Sequence, residues 1–199
     1  MWFIFDLGNT LIKLAYERVI ENVCRDASVK RDQLLQIFEQ AGGYRDMERG
    51  VVTFWDFYEF VCEKAGYRGS VRDFHAIWSD FFDGTMPGAE DLVDRVRAKY
   101  RVAFLSNSNE VHAEVIPKQF PQLFRKDDRW ILSYRFGVAK PDPEMYVRTI
   151  ETLGTLASQC IFVDDLIENV LAAQAVGIRA FQYRDTYSLI RELEGEGLL

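Results

Sequence analysis

The first apolar run of the chain, Trp2-Phe3-Ile4-Phe5, shows no polar alternation and stops at Asp6, two residues before the pair Gly8-Asn9. An unbroken run of this length suits a strand of a parallel sheet covered on both faces, and the glycine-asparagine pair supplies a sharp exit. Asp6 is therefore expected at the carboxyl end of a buried strand, the edge at which open α/β sheets bind ligands. The pattern then turns helical. Tyr16, Val19, Ile20, Val23 and Cys24 lie at the spacing of one helical face, and Leu34, Leu35, Ile37, Phe38 and Ala41 make a second stripe ending at Gly42-Gly43. Residues 44 to 52 read as an irregular polar link with no obvious core face. Thr53 with Asp56, and Ser70 with Asp73, then mark capping-box starts for two more helices. Their stripes, Phe54-Phe57-Tyr58-Val61 and Phe74-Ile77-Trp78-Phe81, are expected to be packing faces rather than cofactor contacts.

Beyond Gly84-Thr85-Met86-Pro87-Gly88 strands alternate with helices, the pattern of right-handed crossovers in a parallel sheet. Strands are expected at 102 to 105, 130 to 133, 160 to 163 and 178 to 181. A helix capped by Asp142 and opened by Pro143 closes at Gly154, and another ends at Gly177. A last amphipathic helix carries Leu189, Ile190 and Leu193, with the tail from Glu194 to Leu199 expected to fray. The fold class is thus α/β: a Rossmann-like three-layer core with a five-stranded parallel sheet, and an all-helical unit inserted after the first strand. The expected division is residues 1–13 and 84–199 for the core and 14–83 for the insertion.

Composition narrows the function classes. The 199 residues suffice for one good core and a smaller appended unit. A net charge of -7 without a basic tract argues against nucleic acid or an acidic membrane surface as partner. The apolar runs are too short to span a bilayer, and no leader segment is visible. Cys24, Cys62 and Cys160 are odd in number and widely spaced, which disfavours disulfides and a thiolate metal site and makes a reducing cytoplasm the expectation. The oligomeric expectation is a monomer or weak dimer.

Polar residues stand at or just beyond four strand ends: Asp6, Ser106 with Asn107, Lys140, and Asp164-Asp165. Converging on one crevice, they suit phosphoryl transfer, because carboxylates hold magnesium while lysine and hydroxyl groups orient and neutralise phosphate oxygens. The residues and their order resemble the haloacid dehalogenase superfamily, whose four motifs correspond to FDLGNTL, VAFLSNS, the lysine of GVAKPDPEMY, and IFVDDLIENV. The helical insertion resembles that superfamily's cap. Within it, FDLGN, LSNSN followed by His112, and ERG at 48 to 50 are most similar to the branch containing sugar phosphatases such as those for alpha-D-glucose 1-phosphate. The resemblance implies Asp6 as nucleophile forming an aspartyl-phosphate, and Mg2+ held by Asp6, the Gly8 carbonyl and Asp165. Asp164 would act from a second layer or through a metal-bound water. It further implies Ser106 and Lys140 on phosphoryl oxygens and Asn107 contributing its backbone or amide. Asn169 stands on the helical face of Asp165. The implied partner is a small phosphorylated metabolite.

Gly8 departs from the pattern, since most phosphatases of the superfamily carry their acid-base aspartate there. Such a group is worth ~10²–10⁴-fold, so its loss implies a slower enzyme or a leaving group that needs little help. Dehalogenases of the superfamily also lack it, which keeps halide displacement by Asp6 as an alternative, although they use no metal and lack the Asp164-Asp165 pair. A phosphate-ligand-binding protein with little turnover is the third reading. Arg45 and Arg49 in the polar link are placed to reach a substrate, with a solvated loop as the competing reading. His75 is expected on a partly buried flank, and His112 is a lesser site candidate.

Overall fold

The computed structural model describes residues 1–199. Strand β1 (Trp2–Phe5) lies at the centre of the sheet and is followed by a short strand, β2 (Ile12–Leu14). Then come α1 (Tyr16–Asp26), α2 (Arg31–Phe38), α3 (Tyr44–Glu48), α4 (Phe54–Ala65) and α5 (Val71–Ser79). Strand β3 (Phe82–Thr85) returns the chain to the core, which continues as α6 (Ala89–Arg97), β4 (Arg101–Ser106), α7 (Glu110–Gln119) and β5 (Arg129–Leu132). The remainder is α8 (Pro143–Leu153), β6 (Cys160–Asp164), α9 (Ile167–Ala175), β7 (Arg179–Gln182) and α10 (Thr186–Gly195). The sheet order is β5-β4-β1-β6-β7, with every pair parallel.

The missing polar alternation in β1 has a direct cause. Phe3 and Phe5 pack into the larger core with α6, α7 and α10, while Trp2 and Ile4 face the opposite core with Met145 and Tyr146 of α8 and Val170 of α9. Because β4 and β6 flank β1 on its two sides, the chain reverses direction across the sheet there, and the crevice opens beyond its carboxyl end.

The helical insertion shares the larger core. Phe38, Phe57, Phe74 and Trp78 are buried together, so the aromatic stripes are packing faces as expected. Both capping boxes form: Thr53 Oγ1 accepts from Asp56 N at 3.1 Å and Ser70 Oγ from Asp73 N at 3.2 Å, each worth about 1 kcal/mol. Asp142 Oδ1 accepts from Glu144 N at 2.9 Å and opens α8.

Four features differ from the sequence reading. Strands β2 and β3 form an antiparallel ribbon carrying the insertion, so the expected boundaries at 13 and 84 fall inside its strands. The polar link contains helix α3, with Met47 buried and Tyr44 ring-stacked on Trp78 at 5.3 Å. The tail is docked rather than frayed: Leu198 is buried, its N–H donates to Leu193 O, and its carbonyl accepts from the Tyr100 hydroxyl at 3.1 Å. His75 is exposed, with its Nδ1 3.2 Å from Ser79 Oγ.

Candidate active site

The polar strand ends meet as the sheet topology requires. Asp6 extends β1, its N–H donating to Val163 O at 2.9 Å. Ser106 and Asp164 close β4 and β6, and Lys140 enters from the loop before α8. Lys140 Nζ lies 2.6 Å from Asp6 Oδ1 and 2.6 Å from Asp164 Oδ2, with all three side chains buried. The other Asp164 oxygen accepts from Leu166 N at 2.9 Å and from Asn169 Nδ2 at 2.8 Å. Asn169 is in turn fixed through its carbonyl by the Tyr146 hydroxyl.

Asp6, Gly8, Ser106, Asn107, Lys140 and Asp165 all line one cavity of about 270 Å³. Ser106 Oγ donates to Asn107 O at 3.2 Å within it. Asn107 corrects part of the expectation. Its Oδ1 accepts from Lys140 N at 2.8 Å and its Nδ2 donates to Lys140 O at 2.9 Å, so the amide clamps the lysine backbone and is not free for phosphate.

Carboxylate oxygens of Asp6, Asp164 and Asp165 lie within 4.8 Å of one another. Burial raises the Asp6 carboxyl, and Asp164 and Asp165 add to this, outweighing the lowering by Lys140. Burial also raises Asp165, with Asp164 beside it. For Lys140 burial works against the charge, but the two aspartates outweigh it and keep the ammonium protonated. Three carboxylates thus face one ammonium. A hard, oxygen-only donor set with surplus negative charge fits a small divalent cation of the magnesium type.

Gly8 is not in the left-handed region; that conformation belongs to Asn9, at φ 52°. The atoms nearest a Cβ on Gly8 would be those of the Leu14 side chain, the first of them 3.0 Å away. Asn9 tolerates its conformation as asparagine commonly does, and its Oδ1 accepts from Leu14 N at 3.2 Å.

His112 does line the cavity, packed against Phe81 and Phe82 with Nδ1 3.1 Å from Asn109 Nδ2. Burial pushes it down to about 3, leaving the imidazole neutral. Arg45 and Arg49 border an adjoining cavity of about 390 Å³ that shares Asn107, Lys140 and Asn169 with the first. Arg45 is solvent-exposed, with Nε 2.6 Å from Glu39.

The sequence reading used Glu48 only within the ERG resemblance and gave it no role; on α3, it lines both cavities. Burial pushes its carboxyl up to about 7, against lowering by Tyr44, Lys140 and Arg45. Its neighbours Tyr44 and Met47, three residues apart and both turned inward, carried a short helical signal.

A model described as haloacid dehalogenase-like hydrolase matches residues 1–177. The chain is 24% identical over 184 residues to D-ribitol-5-phosphate phosphatase of Bacteroides thetaiotaomicron, covering 90% of this chain and 89% of that one. A crystal structure of a haloacid dehalogenase family enzyme from the same organism, in complex with magnesium and inorganic phosphate, superimposes with a TM-score of 0.81. It is 28% identical and covers 95% of this chain and 98% of its own. The L-2-haloacid dehalogenase of Xanthobacter autotrophicus, with chloropropionic acid covalently bound, shares the fold at a TM-score of 0.66 and 18% identity, covering 100% of this chain and 84% of its own. With its strand-end carboxylates and lysine in one crevice and the family match spanning most of its length, the chain belongs to the haloacid dehalogenase-like hydrolases.

Proposed function

We propose that this chain is a magnesium-dependent phosphomonoesterase acting on a small phosphorylated metabolite of the sugar-phosphate class, with Asp6 as nucleophile. The observation that carries the reading is the charge balance of the crevice, three clustered carboxylates against one buried ammonium. Expelling a halide into that surplus of negative charge is unfavourable, whereas a phosphoryl group arrives with a divalent cation that neutralises it. The 89% coverage of the ribitol-phosphate phosphatase supports a phosphorylated polyol or sugar.

In this reading Asp6 attacks phosphorus, the ester oxygen departs with its alcohol, and water hydrolyses the resulting aspartyl-phosphate. Asp6, Asp165 and the Gly8 carbonyl would hold magnesium, with Asp164 supporting them; bound there, the ion supplies charge neutralisation and orients the phosphoryl group. Lys140, gripped by Asp6, Asp164 and the Asn107 clamp, is pre-positioned toward both nucleophile and phosphoryl oxygens. Ser106 offers a hydroxyl, and Asn107 only its backbone, to the phosphate. Arg45, at the rim of the adjoining cavity, is placed to meet the rest of the substrate.

The test is a phosphate-release screen over polyol, sugar, nucleotide and aryl phosphates, with and without magnesium, with Asp6→Asn as blank. Magnesium-dependent release by the native protein and none by the variant is expected. Release that survives Asp6→Asn would overturn the nucleophile assignment.

A further inference from the structure

The geometry points to Glu48 as the general acid and base of the reaction, taking from helix α3 the part that a side chain at position 8 would otherwise play. This assignment rests on the phosphomonoesterase reading. In an in-line displacement the departing oxygen lies on the far side of phosphorus from the nucleophile. Asp6 rises from the end of β1, so that far side faces the helical insertion, and Glu48 is the carboxylate the insertion contributes to the cavity wall.

The position of Glu48 is fixed from the core. Ser133 Oγ, just beyond β5, donates to the Glu48 carbonyl and also accepts from Ser108 N at 2.9 Å. Two residues on, Gly50 adopts φ +68° and packs so closely on Tyr134 that a Cβ would lie 2.0 Å from its carbonyl oxygen. Only glycine permits both. Tyr44 stands one turn earlier on the same helix and lines the same cavity.

The other titratable groups of this cavity are accounted for. Asp6 and Asp165 belong to the nucleophile and cation set, Lys140 is held protonated, His112 is held neutral, and burial keeps the Tyr44 phenol protonated well above its ordinary value. The charged and titratable groups facing Glu48 are Tyr16 of α1, Glu39 after α2, Tyr44 and Arg45 of α3, and Lys140 of the core. Burial outweighs the three that favour its charge, and a carboxyl near neutrality can both give and take a proton.

The steps balance. Asp6 forms a bond to phosphorus as the ester P–O bond breaks, and the Glu48 proton passes to the departing oxygen to give the alcohol. The Glu48 carboxylate then takes a proton from water, whose oxygen attacks phosphorus as the bond to Asp6 breaks. Inorganic phosphate leaves, with Asp6 ionised and Glu48 protonated again.

The test compares native protein with Glu48→Gln on an alkyl phosphate without further hydroxyls and on 2,4-dinitrophenyl phosphate, in magnesium. The ratio kcat/KM covers only the steps through release of the alcohol. It is expected to fall roughly 10²-fold or more on the alkyl ester and less than about 3-fold on the aryl ester, because dinitrophenolate needs no proton. The same variant should release a burst of about one equivalent of dinitrophenolate, since water attack on the aspartyl-phosphate then lacks its base. An equal loss on both esters with no burst would make Glu48 a merely structural residue, and no loss on the alkyl ester would overturn the assignment outright. Native protein inert on both esters and on the polyol, sugar and nucleotide phosphates of the screen would overturn the phosphomonoesterase reading itself.

Discussion

Lys140 Nζ lies 2.6 Å from Asp6 Oδ1, a buried contact between residues 134 apart in sequence, and the same nitrogen is 2.6 Å from Asp164. One ammonium therefore restrains two carboxylates that would otherwise repel each other. Lys140→Ala leaves both uncompensated, and loss of one partner of a buried pair costs on the order of 3–5 kcal/mol. Metal-free Lys140→Ala is expected to unfold at clearly lower temperature than the native protein, and added magnesium should restore more of its stability than it adds to the native chain. Lys140→Arg should recover little turnover, because the guanidinium is broad and planar where the site holds a compact charge. Calorimetric unfolding with and without magnesium, beside steady-state rates, checks both; near-native rates in Lys140→Arg would reduce the lysine to a structural counter-charge.

Glu48 gives the protein a pH signature independent of turnover. Its folded carboxyl titrates at about 7, against an ordinary value of 4.5. Over that window the folded chain holds a proton that the unfolded chain has released, so its contribution to stability is complete below about pH 4.5 and is lost as pH rises through about 7. The effect is at most about 3 kcal/mol, and smaller to the extent that cavity water reaches the carboxylate. Metal-free Glu48→Gln should therefore melt higher than the native protein at pH 8, with the difference shrinking toward pH 5. Parallel melting curves across that range would place the Glu48 carboxyl in ordinary solvent.

The clamp on α3 predicts that its glycine matters at a distance from the chemistry. Gly50→Ala combines a left-handed backbone with a Cβ driven into the Tyr134 carbonyl, so α3 must lift from Ser133. The backbone conformation alone costs about 1–2 kcal/mol, and the clash adds to it. Its kcat/KM should fall more on alkyl than on aryl phosphates, following Glu48→Gln, while the fold survives by circular dichroism. An equal fall on both esters would mean that the clamp positions something other than the proton donor.

The core was legible because its strands carry unbroken apolar runs ended by a polar group that a buried strand would not otherwise carry. Asp6, Ser106 and Asp164-Asp165 announced the crevice in that way, with Lys140 in the loop beyond β5. Helix α3 was not, because five residues with two inward side chains make too short a period to stand out from a charged segment, and the role of Glu48 was hidden with it. The ribbon strands carry no apolar run, β2 having Lys13 at its centre and β3 having Asp83 and Gly84. The clamping role of Asn107 depends on Lys140 lying beside it, 33 residues later, which no local pattern encodes. Leu198 likewise docks on partners that only the tertiary fold supplies, Tyr100 among them.

Position 8 offers the sharpest contrast with Glu48. Its backbone lies outside the left-handed region, and the atoms nearest a Cβ there are the flexible end of Leu14, from 3.0 Å. Gly8→Asp should therefore fold, at a cost below about 1 kcal/mol, since the neighbouring turn conformation is supplied by Asn9 and not by the glycine. The new carboxylate would stand at the wall of the same cavity, two residues after the nucleophile. In native background it adds little if Glu48 already donates the proton. In Glu48→Gln background it should restore at least about ten-fold of the lost kcat/KM on alkyl phosphates and shorten the dinitrophenolate burst. Measuring both esters across native protein, the two single variants and the double variant gives the coupling between the positions directly. Additive effects would mean that the two carboxylates serve different steps; rescue confined to the Glu48→Gln background is the outcome expected of two groups that can do one job.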